Sequence, residues 1–256
     1  MPTVWVVVPC YNEESRLPAA QMAAFAQGHR DVVLCLVDDG SDDGTRRVLD
    51  DIARLCHGQV TVLASKENKG KAEAVRQGIL HGLSHSEAPL VGYWDADLST
   101  PLSEIQLLVT AMTGREDCIA AIGSRVKRLG ARITRSALRH YLGRVFATCA
   151  SETLRLPVYD SQCGAKLFRR DAALVAFTDA FESKWLFDVE LLARLRNHFG
   201  ASHVTQAIAE VPLMTWTHVG GSKLRVRHYL RAPLDLWRIA RRYNKRVEPA
   251  RGSSTA

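Results

Sequence analysis

Along the first half of the chain, short apolar runs alternate with turn residues and with stretches whose apolar positions recur every three or four residues. Val4 to Val8 reads as a buried strand ended by Pro9, followed by a helix from Ala19 to Gln27. Val32 to Val37 is a second strand, closed by Asp38-Asp39-Gly40-Ser41. Thr45 to Cys56 sets Val48, Leu49, Ile52 and Leu55 on one helical face. Val60 to Leu63 predicts a strand, Lys71 to Leu83 a helix, Leu90 to Trp94 a strand, Pro101 to Met112 a helix and Ile119 to Ile122 a strand. Strands separated by helices of this length pair in parallel through right-handed crossovers. The fold class is therefore α/β, a doubly wound and mostly parallel sheet flanked by helices. Such sheets bind ligands beyond the carboxyl ends of their strands, so functional residues should follow strands one, two and four.

The second half is less regular. Leu138, Tyr141, Leu142, Val145, Phe146 and Cys149 follow a three-four spacing, with Arg135, Arg139 and Arg144 on other faces of that helix. Phe187 to Phe199 predicts another helix and Val204 to Val211 a strand. The final basic segment carries Tyr229, Leu230, Leu234, Trp237, Ile239 and Tyr243, with Pro233 expected to break or kink it. Residues after Val247 read as a disordered end.

Charge sharpens this picture. The chain of 256 residues has a net charge of +7, and Lys223 to Arg246 hold nine Lys/Arg against one acid, Asp235. The body is thus near neutral. A local anionic contact fits this better than a surface coating nucleic acid, and no nucleic-acid partner is expected. Six cysteines are scattered singly without a CxxC pair, which suggests neither a zinc knuckle nor a disulfide framework. No apolar run approaches the ~20 residues of a membrane span, and Met1-Pro2-Thr3 leads straight into a strand. A cytoplasmic location, peripheral on the inner face of the membrane, is the expectation.

The chemistry centres on Asp95 and Asp97, one residue apart where an apolar run ends. Two carboxylates there are good oxygen ligands for a hard divalent ion, which takes one or two carboxylates plus substrate phosphates. Asp38 and Asp39 stand at another strand end. The Asp43-Gly44-Thr45 that follows suits a capped helix, whereas a strand-end carboxylate can accept from a base N–H or a ribose hydroxyl. Asn68-Lys69-Gly70-Lys71 opens a helix whose N-terminus favours an anion.

Taken in order, PCYNEE, VDDGSDDGT, NKGKAEAVRQGI and WDADLSTP resemble the nucleotide-sugar-binding half of family 2 glycosyltransferases, inverting enzymes with the GT-A nucleotide-diphospho-sugar transferase fold. Downstream, IGSR at Ile122–Arg125, DSQCGAKLF at Asp160–Phe168, WLFDVE at Trp185–Glu190, VPL at Val211–Leu213, His218 and Gly221-Ser222-Lys223 are similar to the branch holding dolichyl-phosphate β-glucosyltransferases and mannose synthases. QCGAKLF is closer to the glucosyl members.

The resemblance implies roles residue by residue. Asp38 or Asp39 would hold base and ribose beside Pro9 and Tyr11, with Glu13 supporting the loop and Lys71 near base or diphosphate. Asp97 would be the direct Mg²⁺ or Mn²⁺ ligand, with Asp95 reaching ribose or a metal-bound water. Arg125, Lys166, Ser222 and Lys223 would grip the acceptor's phosphate, and Asp160 or Asp188 would be the base if one is needed.

The reaction implied is transfer of a hexose, with UDP-glucose as the expected donor, onto a polyprenyl phosphate. The basic C-terminal segment would meet an anionic membrane surface. Domain boundaries are expected at 1–222 for the catalytic domain (nucleotide-sugar half to about 125, acceptor half from 126), 223–247 for the basic amphipathic extension and 248–256 for the tail. The alternatives are a soluble family 2 enzyme acting on a hydroxyl, and a nucleotide-sugar-binding scaffold without turnover. A nucleotidyltransferase is disfavoured, since such enzymes usually open on a Gly-rich basic loop and this chain opens on PCYNEE.

Overall fold

The structure, a computed structural model, describes residues 2–134, 137–219 and 226–243, together with their side chains except those of 137–142 and 226–230. Its central sheet has seven strands in the order β3-β2-β1-β4-β7-β5-β8. These are β1 (Val4–Cys10), β2 (Val32–Asp38), β3 (Val60–Ala64), β4 (Leu90–Trp94), β5 (Ala120–Ser124), β7 (Ala165–Arg169) and β8 (Ile208–Pro212). The first four are parallel to one another, and β5 is parallel to β8. β7 runs antiparallel to both of its neighbours, β4 and β5. β6 (Arg132–Thr134) and β9 (Thr215–Thr217) form a small parallel pair of their own.

Period-two alternation along the strands fills a core on each face. Val4, Val6 and Val8 of β1 point into one core; it is covered by α1 (Ala19–Gly28), α2 (Thr45–Leu55) and α4 (Ile105–Thr113). Trp5 and Val7 point into the other, beneath α3 (Lys71–His85), α5 (Ala137–Leu154), α6 (Arg170–Phe177), α7 (Phe187–Phe199), α8 (Ala201–Ala207) and α9 (Val226–Tyr243). A parallel sheet covered on both faces needs near-continuous apolar strands, which is why β1, β2 and β4 read as unbroken runs.

Four expectations shift. The strand expected over Val204–Val211 is split, because α8 continues to Ala207 and β8 starts at Ile208. The helix expected from Pro101 opens instead as a 3₁₀ turn at Leu102–Glu104 before α4. β7 and α6 went unassigned. Finally, α9 continues through Pro233. There Leu236 and Ile239 are buried against the second core and Ala232 is buried too, while Leu234, Trp237, Arg231, Arg238 and Arg241 are exposed.

Candidate active site

The carboxyl ends of β1, β2 and β4 lie side by side, with Cys10 in register with Asp38 and Val7 with Tyr93. The loops beyond them are stitched together. Cys10 C=O accepts from Asp39 N–H at 2.8 Å, Ser41 Oγ from Asn12 N–H at 3.0 Å, and Thr45 Oγ1 from Glu13 N–H at 2.7 Å. Glu13 thus supports the loop largely through its backbone, while its carboxylate lies 3.8 Å from Arg16. Gly40, at φ +66°, lets this loop approach the next one, since a Cβ there would stand 2.7 Å from Asn68 N. Pro9, expected to end β1, lies within it in register with Val37; the strand ends at Cys10 and Tyr11 opens the loop at the same edge.

The two strand-end aspartates divide their work. Asp39, 2 % exposed, accepts from Lys69 N–H at 2.9 Å and from Gly70 N–H at 2.8 Å, fixing the entry to α3. Burial pushes its carboxyl above the ordinary aspartate value; the two N–H donors and Lys184 oppose the rise and Asp38 adds to it. Asp38 takes Ser41 N–H at 3.0 Å on Oδ1. Both of Asp39's oxygens are therefore engaged by the loop at Lys69 and Gly70.

Asp95 and Asp97 occupy a tight turn beyond β4. Gly164 C=O accepts from Asp95 N–H at 3.0 Å, and Asp95 C=O from Leu98 N–H at 3.2 Å. Leu98 carries φ +47°, a left-handed conformation that costs a side-chain-bearing residue roughly 1–2 kcal/mol. Asp97 Oδ1 accepts from Ser99 N–H at 2.9 Å. Lys71, the first residue of α3, reaches Asp95 Oδ1 with Nζ at 2.5 Å and lies 5.7 Å from the Phe187 ring centre. Burial would pull the ammonium's pKa down, but Asp95, with Asp188 and Asp97 behind it, lifts it above its ordinary value. Two partly exposed carboxylates and one lysine thus converge at the strand ends.

Two further ion pairs, largely shielded from solvent, stand out. Asp160 takes Arg125 in a fork, with Nε and Nη2 each at 2.7 Å, and also accepts Arg125 N–H at 3.0 Å. Burial opposes the guanidinium's charge, but Asp160 holds its pKa above the ordinary value. Asp188 accepts from Lys166 Nζ and from the Tyr93 hydroxyl. Lys166 also donates to Cys163 C=O at 2.6 Å. Alternation along β7 puts Lys166 on the same face as Phe168, under α7, and its side chain is 0 % exposed.

This corrects one reading. Lys166 is a buried strut of the core beneath α7 and does not present its ammonium to an acceptor. Asp160 and Asp188, the two candidate bases, are each committed to a cation. Arg125 lines a cavity while paired with Asp160. Ser222 and Lys223 lie outside the described residues.

Residues 5–175 match Glycosyl transferase family 2. The chain belongs to that family. It is 31 % identical to a dolichyl-phosphate beta-glucosyltransferase of Trichomonas vaginalis over 91 % of this chain and 69 % of the relative. Against the dolichyl-phosphate beta-glucosyltransferase of Drosophila melanogaster it is 34 % identical, over 93 % of this chain and 74 % of the relative. Its fold is similar to that of glucosyl-3-phosphoglycerate synthase from Mycobacterium tuberculosis in complex with Mn²⁺, UDP-glucose and phosphoglyceric acid, with a TM-score of 0.66 at 18 % identity, covering 93 % of this chain and 80 % of that one. The fold is GT-A and the protein is a glycosyltransferase.

The same neighbour has been solved with Mg²⁺ as well as Mn²⁺. This glycosyltransferase's own residues fit such an ion. Asp95 and Asp97 supply hard carboxylate oxygens at the exposed end of the sheet, with the Asp95 side chain 38 % exposed. Among the described residues no three His, Cys, Asp or Glu gather into a cage. A Mg²⁺-type ion does not need one, since substrate phosphates and water complete its shell.

Several supporting residues were not singled out from the sequence. Glu210 accepts Tyr159 N–H at 2.9 Å and Asp160 N–H at 2.6 Å, and thereby fixes the loop that presents Asp160. Burial raises its carboxyl above the ordinary glutamate value, with Asp160 adding to the rise and the two N–H donors opposing it. Glu104 does the same for the loop before β9, taking Met214 N–H at 2.9 Å and Thr215 N–H at 3.0 Å. Their signal was available: Glu210 is the lone acid in the strand IAEVP, and a lone acid in a strand of a buried sheet needs partners.

Proposed function

We propose that this glycosyltransferase moves glucose from UDP-glucose onto a polyprenyl phosphate, with inversion, at a membrane surface. The observation carrying the acceptor assignment is the pairing of both candidate bases. A hydroxyl acceptor must lose a proton as it attacks, which calls for a carboxylate ready to take it. Asp160 is held by Arg125 and Asp188 by Lys166 and Tyr93. A phosphate monoester arrives already ionised. One of its oxygens attacks C1, the C1–O bond to the diphosphate breaks, and the electron pair leaves with UDP; no proton transfer is required.

The relatives' names point the same way, since those enzymes are called dolichyl-phosphate beta-glucosyltransferases. On the donor side, Asp38 would meet base and ribose, Asp39 would fix the loop at Lys69 and Gly70 beneath them, and Pro9 and Tyr11 would flank the base. Lys71 would lie by the diphosphate. Asp97, with Asp95, would hold the Mg²⁺ or Mn²⁺, which neutralises charge on the leaving diphosphate when bound.

α9 supplies the membrane contact in this reading. One face is packed on α5 and α7, and the other exposes Leu234 and Trp237 among Arg231, Arg238 and Arg241. An aromatic and a leucine among cations suit the headgroup layer of an anionic bilayer. No described helix is long and apolar enough to cross one.

The test is a donor panel assayed with Mg²⁺ or Mn²⁺ against polyprenyl phosphate and against water-soluble acceptors. Transfer from UDP-glucose to polyprenyl phosphate is expected. Efficient glycosylation of a soluble alcohol with no transfer to the lipid phosphate would refute the reading.

A further inference from the structure

The near-neutral charge of the body conceals a second basic stretch. From Cys118 to Ser151 there is no Asp or Glu, yet the stretch holds seven Lys/Arg between Arg125 and Arg144. Arg125 is spent on Asp160. Lys127, Arg128 and Arg132 are exposed, and among them stands Leu129, 100 % exposed. Removing a leucine from water is favourable, so an ordered segment that holds one out completely forgoes that gain. Met214, itself 39 % exposed, lies against Arg128.

The leucine sits on a built support. Leu129 and Gly130 are the middle of a four-residue turn closed by Ala131 N–H donating to Arg128 C=O at 3.2 Å. Gly130 has φ +82°, the positive value that the third position of a type II turn demands. Arg128 Nη2 donates to Pro212 C=O at 3.4 Å, and Arg132 N–H donates to Met214 C=O at 2.7 Å where the β6–β9 pair begins. Glu104 holds the same end by taking the N–H groups of Met214 and Thr215. At the other end Thr217 N–H donates to Ser99 C=O at 2.9 Å, and Ser99 N–H to Asp97 Oδ1. A ribbon of three residues per strand, about 10 Å long, thus runs from the turn at Asp97 out to a leucine held in water.

We propose that the turn at Lys127–Arg132 is a membrane contact separate from α9, with Leu129 entering the boundary between headgroups and acyl chains of an anionic bilayer. Lys127, Arg128 and Arg132 meet the lipid phosphates around it. Charge selects this partner: a leucine alone suits any apolar surface, whereas three exposed cations in an acid-free stretch suit an anionic one. Lys and Arg stems can lie along apolar neighbours while their heads stay in the phosphate layer. The proposal rests on the membrane reading above for its partner, and on the ribbon for the place of contact. Anchored at its tip, the ribbon sets the height of the Asp97 turn above the bilayer.

Two variants and one label on the full chain test it. Leu129→Asp, and Lys127→Gln combined with Arg132→Gln, should melt with the wild type because all three side chains are exposed. Each variant should partition about tenfold or more less strongly into phosphatidylcholine vesicles containing phosphatidylglycerol. Depth is read by an environment-sensitive dye on Leu129→Cys in a Cys149→Ser background, since Cys149 is exposed and the other five cysteines are buried. Its emission should shift to the blue on those vesicles and be quenched by bromine-labelled acyl chains. Partition equal to wild type in either variant, or a dye that stays in water on the bound protein, overturns the proposal and leaves the α9 contact standing. A wild-type chain that ignores the anionic vesicles overturns the membrane reading and this contact together.

Discussion

Gly164 lies so close to Asp95 that a Cβ built on its backbone would overlap the aspartate's carboxylate. The same glycine accepts the Asp95 N–H on its carbonyl, so the residue leading into β7 sets both backbone and side chain of the turn. Gly164→Ala should therefore displace Asp95 while leaving the core intact. A displacement of about 1 Å at such a site can cost on the order of 10²-fold in rate. Turnover measured beside a thermal melt checks this; normal activity would show that Asp95 need not hold its present place.

Asp97→Asn tests the enzyme against a binding scaffold. The variant should fold normally and lose transfer by roughly 10³-fold or more, as removal of a charged ligand from the leaving-group side predicts. UDP affinity should then respond far less to Mn²⁺ than in the wild type, read by calorimetry with and without the ion. A chain whose only role is to bind nucleotide-sugar would have no turnover to lose.

Lys166 and Asp188 form a pair whose rupture should register in stability. Removing one partner of a buried ion pair typically costs about 3–5 kcal/mol, because the other charge is stranded. Lys166→Met and Asp188→Asn should each lower the denaturant midpoint; the asparagine amide oxygen can still accept from the Tyr93 hydroxyl, so the loss in Asp188→Asn reports the missing charge opposite Lys166. If Asp188→Asn unfolds at the wild-type midpoint yet loses activity, Asp188 is acting as a base after all.

Glu210 predicts a pH signature. Its folded-state value is raised above the ordinary 4.5, so between those two values the folded state binds more protons than the unfolded one. Stability from this group is thus fully present below 4.5 and is lost as pH rises through the raised value. Subtracting the Glu210→Gln stability curve from that of the wild type should leave a difference that falls with rising pH across this window. Urea unfolding at closely spaced pH values reads it, and a flat difference would contradict the assignment.

The exposed face of α9 is the membrane prediction. Changing Arg231, Arg238 and Arg241 together to Glu should leave the melting temperature nearly unchanged, because all three side chains are exposed. Binding to anionic vesicles should fall by about 1 kcal/mol or more per cation, a loss of at least 10² in partition coefficient. Co-sedimentation equal to that of the wild type would remove α9 from the membrane contact.

Much of the donor half was legible in the sequence because its rules are local. Unbroken apolar runs for β1, β2 and β4, turn chemistry at Asp38–Ser41 and the helical spacing of α2 all lie within short windows, and each element forms within a residue or two of its expected ends. The acceptor half obeys longer-range rules. β7 follows no crossover pattern, so AKLFR stands out in the sequence as part of a motif and its strand alternation does not. Reading it as a strand places Lys166 beside Phe168 in the core, which is why a cation expected at the acceptor became a buried strut. Asp160 and Asp188 were noticed as acids, but their partners are 35 and 22 residues away along the chain. Spacing alone does not reveal such pairings.

β7 also orders events in time. β4 and β5 are consecutive strands, yet neither touches the other; β7 sits between them and is made some forty residues after β5. As the chain leaves the ribosome, the four parallel strands, with Asp38, Asp39 and Asp95 at their carboxyl ends and Lys71 opening α3 between two of them, can zip together first. β5 has no place in the sheet until Arg169 has been synthesised, and closure then depends on contacts distant in sequence, a slow step on topological grounds. The four-stranded half of the sheet that ends at Asp38 and Asp95 is thus complete in the sequence before the half that waits for one reversed strand.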